Sequence, residues 1–174
     1  MSQDAGALAD RHVAAEFELE SPDATIETMT ADPVVLHVPT LAGGRGRDAV
    51  RAFYRDRFIG TWPADIEVEQ VSRTVGESRV VDELILRFTH TTVIPVLLPG
   101  VPPTGRTVEL PHVVVFEIEG DRIAHEHIYW DQASLLVQVG LLDPSRVPAI
   151  GSEQAGALRD NAPSNLLLDD PPTP

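Results

Sequence analysis

The sequence predicts an α+β domain whose curved, mostly antiparallel sheet forms a cone, with N-terminal helices closing a pocket inside it. Three observations carry this. Helical spacing dominates before Pro63, whereas long β-branched or alternating runs follow it. Strands that follow one another with short turns pair antiparallel and bury one face under helices. At 174 residues the chain is long enough for one well-cored domain and too short for two.

The elements follow in order. Ala5 to Leu19 has helical spacing, and Ser21-Pro22-Asp23 announces a short helix with a cap, a first-turn proline and a first-turn acid. Val34–Val38 reads as a short strand. Gly43–Phe58 reads as a loop leading into a helix with Val50, Phe53, Tyr54 and Phe58 on one stripe. Strands are expected near Asp65–Thr74, Arg79–Ile94, Arg106–Ile118 and Arg122–Trp130, with Glu119-Gly120-Asp121 as a tight turn. Pro95 to Gly105 is a proline-rich, apolar connection. A last helix is expected from Asp131 to Val139. The domain is placed at residues 1–150 and a C-terminal tail at 151–174.

Composition removes several classes of function. A net charge of −14 repels phosphates and argues against nucleic acid as a partner. All 13 basic residues are arginine and there is no cysteine, so a lysine Schiff base, a thiolate nucleophile and disulfides are excluded. No Gly-x-Ser-x-Gly elbow occurs. With no apolar run of membrane-spanning length and no basic-then-apolar start, neither a membrane partner nor a signal peptide is expected, and the default location is cytoplasmic. GGRGR at Gly43–Arg47 lacks the spacing of a phosphate-binding loop and reads as a connection. No cofactor is expected.

The densest chemistry lies in Asp121–Pro144, where His125, Glu126, His127, Tyr129, Trp130 and Asp131 end a strand that runs straight into a helix. Strict alternation puts Ile123, His125, His127, Tyr129 and Asp131 on one face and Ala124, Glu126, Ile128 and Trp130 on the other. The same alternation brings His90 and His112 to the concave face, and a bulge would reverse part of it. His37, at the end of Val34–Val38, reaches the cavity from the opposite wall. Trp62, Phe88 and Trp130 are candidate wall residues, and His12 on the first helix reads as surface. Each also has a structural reading: Asp131 directly precedes a helix and makes a ready N-cap.

GRDAVRAFYRDRF, the closing strand and HIYWDQASLLVQVGLLDP together resemble the nuclear transport factor 2-like superfamily, and within it the SnoaL-like polyketide cyclases. The resemblance spans roughly Ala5 to Pro144. It implies a cofactor-free cyclase, isomerase or lyase in which an aspartate deprotonates carbon next to a carbonyl. That role falls on Asp131, with His127, Tyr129 and His112 as acid or oxyanion donors. His37, Trp62, Phe88, His90, His125 and Trp130 would contact a small hydrophobic, carbonyl-bearing molecule. The family's Glu-His-Trp stretch reads His-Glu-His here, a departure at His125–His127. The superfamily also contains non-catalytic binding modules and water-activating hydrolases, so both remain alternatives. His125-x-His127 with Asp131, His112 and His90 could instead form a metal site, although the chain continues without a further histidine strand, and no metal is expected. Ile85, Arg87, Thr89, Val93, Val113 and Val115 make the outer sheet face apolar enough to predict a homodimer.

Overall fold

In the computed structural model, residues 4–159 and 163–172 are described. Helix α1 (Ala5–Phe17) starts at Asp4, whose carboxylate accepts from the Gly6 N–H at 3.0 Å. Helix α2 (Pro22–Glu27) starts at Ser21 with proline in its first turn, as its sequence signature dictates. Strand β1 (Met29–His37) begins earlier than the apolar run alone suggests. It turns back through β2 (Ala42–Arg45), a strand hidden in the glycine-rich stretch read as a connection. Gly43 is required there, since a Cβ on it would lie 1.9 Å from the Val35 carbonyl oxygen.

Helix α3 (Arg47–Phe53) continues into one π-helical turn over Tyr54–Phe58. The wider turn accompanies a change in the stripe, so that Val50, Phe53, Tyr54 and Phe58 are all buried. Strands β3 (Glu67–Val75), β4 (Arg79–Thr89), β5 (Thr107–Glu119) and β6 (Arg122–Trp130) form an antiparallel meander. β1 then adds to β6 in parallel, giving the order β2-β1-β6-β5-β4-β3 in a curved, unclosed sheet. The fold is the predicted α+β cone, its concave side covered by α1 and the α3 region.

The Pro95–Gly105 connection joins the antiparallel β4 and β5 by a long folded segment rather than a tight turn. Ile94, Val96, Leu97 and Leu98 are essentially solvent-free, and the segment is tied down where Thr40 Oγ1 donates to the Val96 carbonyl and Gln132 Nε2 donates to the Leu97 carbonyl. It forms part of the pocket wall rather than an open loop.

Helix α4 (Gln132–Gln138) follows β6 directly. The chain then crosses to the convex face of the sheet, where α5 (Glu153–Leu158) packs on β5 and a short α6 (Leu166–Asp169) follows. Arg159 donates to Glu69 and Glu109, pinning this segment across β3 and β5. Ile85 points to the convex face, yet its exposure is 0% because the C-terminal segment covers it. Val113 stays exposed on the remainder of that face, whereas Val93 lies beyond the end of β4 in the connection to β5. No helix among the described residues is long and apolar enough to cross a membrane.

Candidate functional site

A bulge decides which side chains of β6 look inward. Along β5 and β6 the partners run Glu119↔Arg122 and Ile118↔Ile123, then jump to Glu117↔His125, leaving Ala124 unpaired. The extra residue reverses the alternation. From there on Glu126, Ile128 and Trp130 face the core, while His125, His127 and Tyr129 face outward. The strict alternation read from the sequence is therefore wrong beyond Ile123, and for a physical reason that leaves no glycine behind.

Cross-strand rows then define the concave wall. Phe116 stands beside Glu126, Val114 beside Ile128 with Asp82 and His37 on either side, and His112 between Leu84 and Trp130. Helix α1 supplies Val13, Glu16 and Phe17 from above, and Phe58, Trp62 and Leu97 complete a largely enclosed cavity of about 60 Å³. That is small against the usual ~300–1,000 Å³ of ligand pockets, so a compact ligand is indicated in this conformation.

The polar end of the cavity is built on α1. Leu8, His12 and Glu16 are spaced by four, so they lie on one helical stripe, and all three are buried. His12, expected on the surface, has 0% exposure. Its position follows from that stripe. The Thr28 hydroxyl donates to the Thr25 carbonyl at 2.6 Å, so its oxygen must accept from His12 Nδ1–H, also at 2.6 Å. This fixes the ring and turns Nε2 toward Tyr54, Glu126 and Glu16 at 3.2, 3.3 and 3.4 Å. The Tyr54 hydroxyl donates to Glu126 Oε2 at 2.9 Å.

Electrostatics sorts these groups. Burial alone would strip His12 of its proton, but Glu16 and Glu126 hold the imidazolium, pushed up to about 10. Burial, reinforced by the Glu126 charge, raises Glu16 above the usual carboxylate range. Burial also opposes ionisation of Glu126, yet the His12 and Tyr54 contacts bring it below its ordinary value. Tyr54 is held protonated by burial and the two acids. Two carboxylates at one end of the cavity, one on α1 and one on β6, thus have opposite protonation tendencies, the pattern that marks acid/base sites. His12, Glu16 and Glu126 also present ligand atoms within 4.8 Å of one another, close enough to share a cation.

The rest of the sheet wall is neutral. Burial lowers His37 and His112 to about 4. His112 Nδ1–H donates to the Leu110 carbonyl at 3.0 Å, and its ring stacks on Trp130. His37 Nδ1 and Trp62 Nε1 are buried without a hydrogen-bond partner among the described residues. Asp82 is neutralised by Arg73, which donates to it twice, at 2.6 and 2.8 Å.

Of the residues singled out from sequence, His37, Trp62 and His112 line the cavity and Trp130 backs it. Phe88 is core beside Trp62. His90 is buried outside the cavity lining, bonded to Thr104. His125 and His127 stack on each other on the outer face, and Tyr129 is 42% exposed there. Asp131 is exposed and caps α4, accepting from Ala133 N–H at 2.8 Å and Ser134 N–H at 3.3 Å, and from Gln154 Nε2. The structure does not gather His125, His127, His112, His90 and Asp131 into one metal site. Sequence reasoning missed Glu16, Glu126, Tyr54 and His12. The first and last were signalled by their four-residue spacing from Leu8.

A family model described as SnoaL-like domain matches residues 9–126. No curated protein matches the sequence. Among solved structures, a protein assigned as a polyketide cyclase from Acidithiobacillus ferrooxidans is similar with a TM-score of 0.63 and 17% identity, over 80% of this chain and 96% of that one. TsrD from Streptomyces laurentii is similar at 0.59 and 22%, over 79% and 95%. A protein assigned as a SnoaL-like polyketide cyclase from Jannaschia sp. CCS1 is similar at 0.55 and 20%, over 77% and 94%. At these identities the likeness is one of fold.

Proposed function

We propose a function from one established premise: the chain belongs to the SnoaL-like domain family. The fold and its neighbours support cofactor-free cyclase or isomerase chemistry in general terms. Our reading is a proton transfer at carbon next to the carbonyl of a compact small molecule, with Glu126 as the base. The observation that carries it is the pair of buried carboxylates, Glu16 and Glu126, with opposed protonation tendencies at one end of a largely apolar cavity.

The roles follow from the geometry. Both hydrogen bonds to Glu126 fall on Oε2, which leaves Oε1 for the substrate proton. Loss of that proton creates an enolate, whose oxygen needs a donor already in place. Trp62 Nε1–H can only donate, lines the cavity and has no partner among the described residues. A substrate carbonyl oxygen at Trp62 would satisfy it and receive the developing charge. The apolar walls formed by Val13, Phe58, Leu84, Phe116 and Ile128 keep water away from the enolate. His12 and Tyr54 stand behind the carboxylates and keep Glu126 ionised, and so are positioning residues. Glu126 then returns the proton to the same carbon, to another carbon in a double-bond shift, or to the oxygen formed by ring closure, as the substrate dictates.

Carbon-acid deprotonation can be read without knowing the natural substrate. Small 1,3-dicarbonyl compounds incubated with the protein in heavy water should gain deuterium at the central carbon faster than in buffer, followed by NMR. If no compound shown to bind the protein exchanges faster than in buffer, the reading is wrong.

A further inference from the structure

The buried polar cluster is one positive charge short. Two carboxylates, Glu16 and Glu126, face the cavity, and among the described residues the one cationic group bonded to them is His12. Asp82 is already matched by Arg73, and neither arginine nor lysine is among the cavity-lining residues. Burial and the Glu126 charge favour a proton on Glu16, which offsets the difference. A ligand cation would offset it equally well.

A second, independent observation points to the same need. His37 is 5% exposed, lines the same cavity, and its Nδ1 has no partner among the described residues. In its Nε2–H tautomer that nitrogen is an acceptor open to a ligand's N–H or O–H donor. Around these acceptors stand the rings of Phe17, Phe58 and Trp62, packed at centroid separations of 5.4–5.8 Å. Aromatic faces beside a carboxylate attract alkylammonium groups, whereas a metal ion takes oxygen, nitrogen or sulfur ligands and gains little from the rings.

We propose that Glu16, His37 and the Phe17–Phe58–Trp62 rings form a subsite for a small alkylammonium group, so that the substrate is a compact carbonyl compound carrying a protonated amine. Anionic substrates are disfavoured by the same charges. On binding, the ammonium keeps its protons, donating hydrogen bonds to Glu16 and His37 Nδ1, and Glu16 releases its own proton to solvent. The inference rests on the acid–base reading only in leaving Glu126 as the base.

The test uses tert-butylammonium chloride and its uncharged counterpart of equal size, tert-butyl alcohol. Binding to the full chain is followed by tryptophan fluorescence and by calorimetry in buffers of different ionisation enthalpy. The ammonium should bind saturably with release of a proton, and at least about tenfold more tightly than the alcohol, as a charge-assisted hydrogen bond implies. Glu16→Gln should remove the preference and the proton release. Phe17→Leu keeps the site apolar and should weaken the ammonium alone, so a folding defect in Glu16→Gln does not decide the matter. Equal affinity for the alcohol overturns the proposal, as does tight binding of zinc or magnesium chloride without binding of the ammonium. Ammonium binding without deuterium exchange would sink Glu126 as base and leave this subsite standing. Exchange without ammonium binding would do the reverse.

Discussion

His12, His37 and His112 share a ring and an ordinary titration range, yet their surroundings separate them. His12 sits between two acids and keeps its proton to about 10, whereas burial drives His37 and His112 down to about 4. The unfolded histidine titrates near ~6.5. The folded state therefore gains from protonated His12 below that value, and loses the gain as pH rises toward 10. For His37 and His112 the unfolded chain takes protons that the folded chain refuses, so stability falls as pH drops from about 6.5 to about 4. Melting temperature against pH should thus peak near neutrality. His12→Gln should flatten the alkaline limb, and His112→Gln should make the acid limb shallower. An alkaline limb unchanged in His12→Gln would show that the cluster does not hold its charge.

At the scale of elements, most of the fold could be read and the site only in part. Long alternating runs fixed four strands because period two has no competing explanation over nine residues or more. β2 was not legible, since Ala42–Arg45 has the composition of a turn and pairs only because Gly43 allows a close approach to Val35. The bulge at Ala124 was not legible either, and it alone exchanges His125, His127 and Tyr129 for Glu126, Ile128 and Trp130 on the concave face. Spacing on α1 did contain the answer: His12 and Glu16 continue the Leu8 stripe. Asp131 shows how one residue suits two accounts. As an N-cap it satisfies two backbone N–H groups of α4. Asp131→Ala should cost about 1 kcal/mol in denaturant unfolding, while Asp131→Asn, which caps equally well, should cost less. Equal losses for the two variants would show that capping is not its contribution.

On the scale of the whole molecule, the C-terminal segment occupies part of the sheet face expected to pair with a second copy. It buries Ile85 and leaves Val113 and Tyr129 exposed. We retain a homodimer as a proposal through this reduced face. Sedimentation equilibrium should give about twice the 18.9 kDa chain mass, and a chain ending at Val147 should associate more strongly because Ile85 is uncovered. A monomer in both cases would rule out pairing through this face.

The cavity, its charges and the strand register support the proposal that Glu126 rather than Asp131 removes the substrate proton. The direct measurement is the rate of deuterium incorporation into a bound 1,3-dicarbonyl compound by wild type, Glu126→Gln and Asp131→Asn, each checked for folding by its melting transition. The account predicts a loss of about 10²–10⁴-fold in Glu126→Gln, the usual contribution of a positioned base, and a near wild-type rate in Asp131→Asn. The opposite pattern, with Asp131→Asn inactive and Glu126→Gln active, would contradict it.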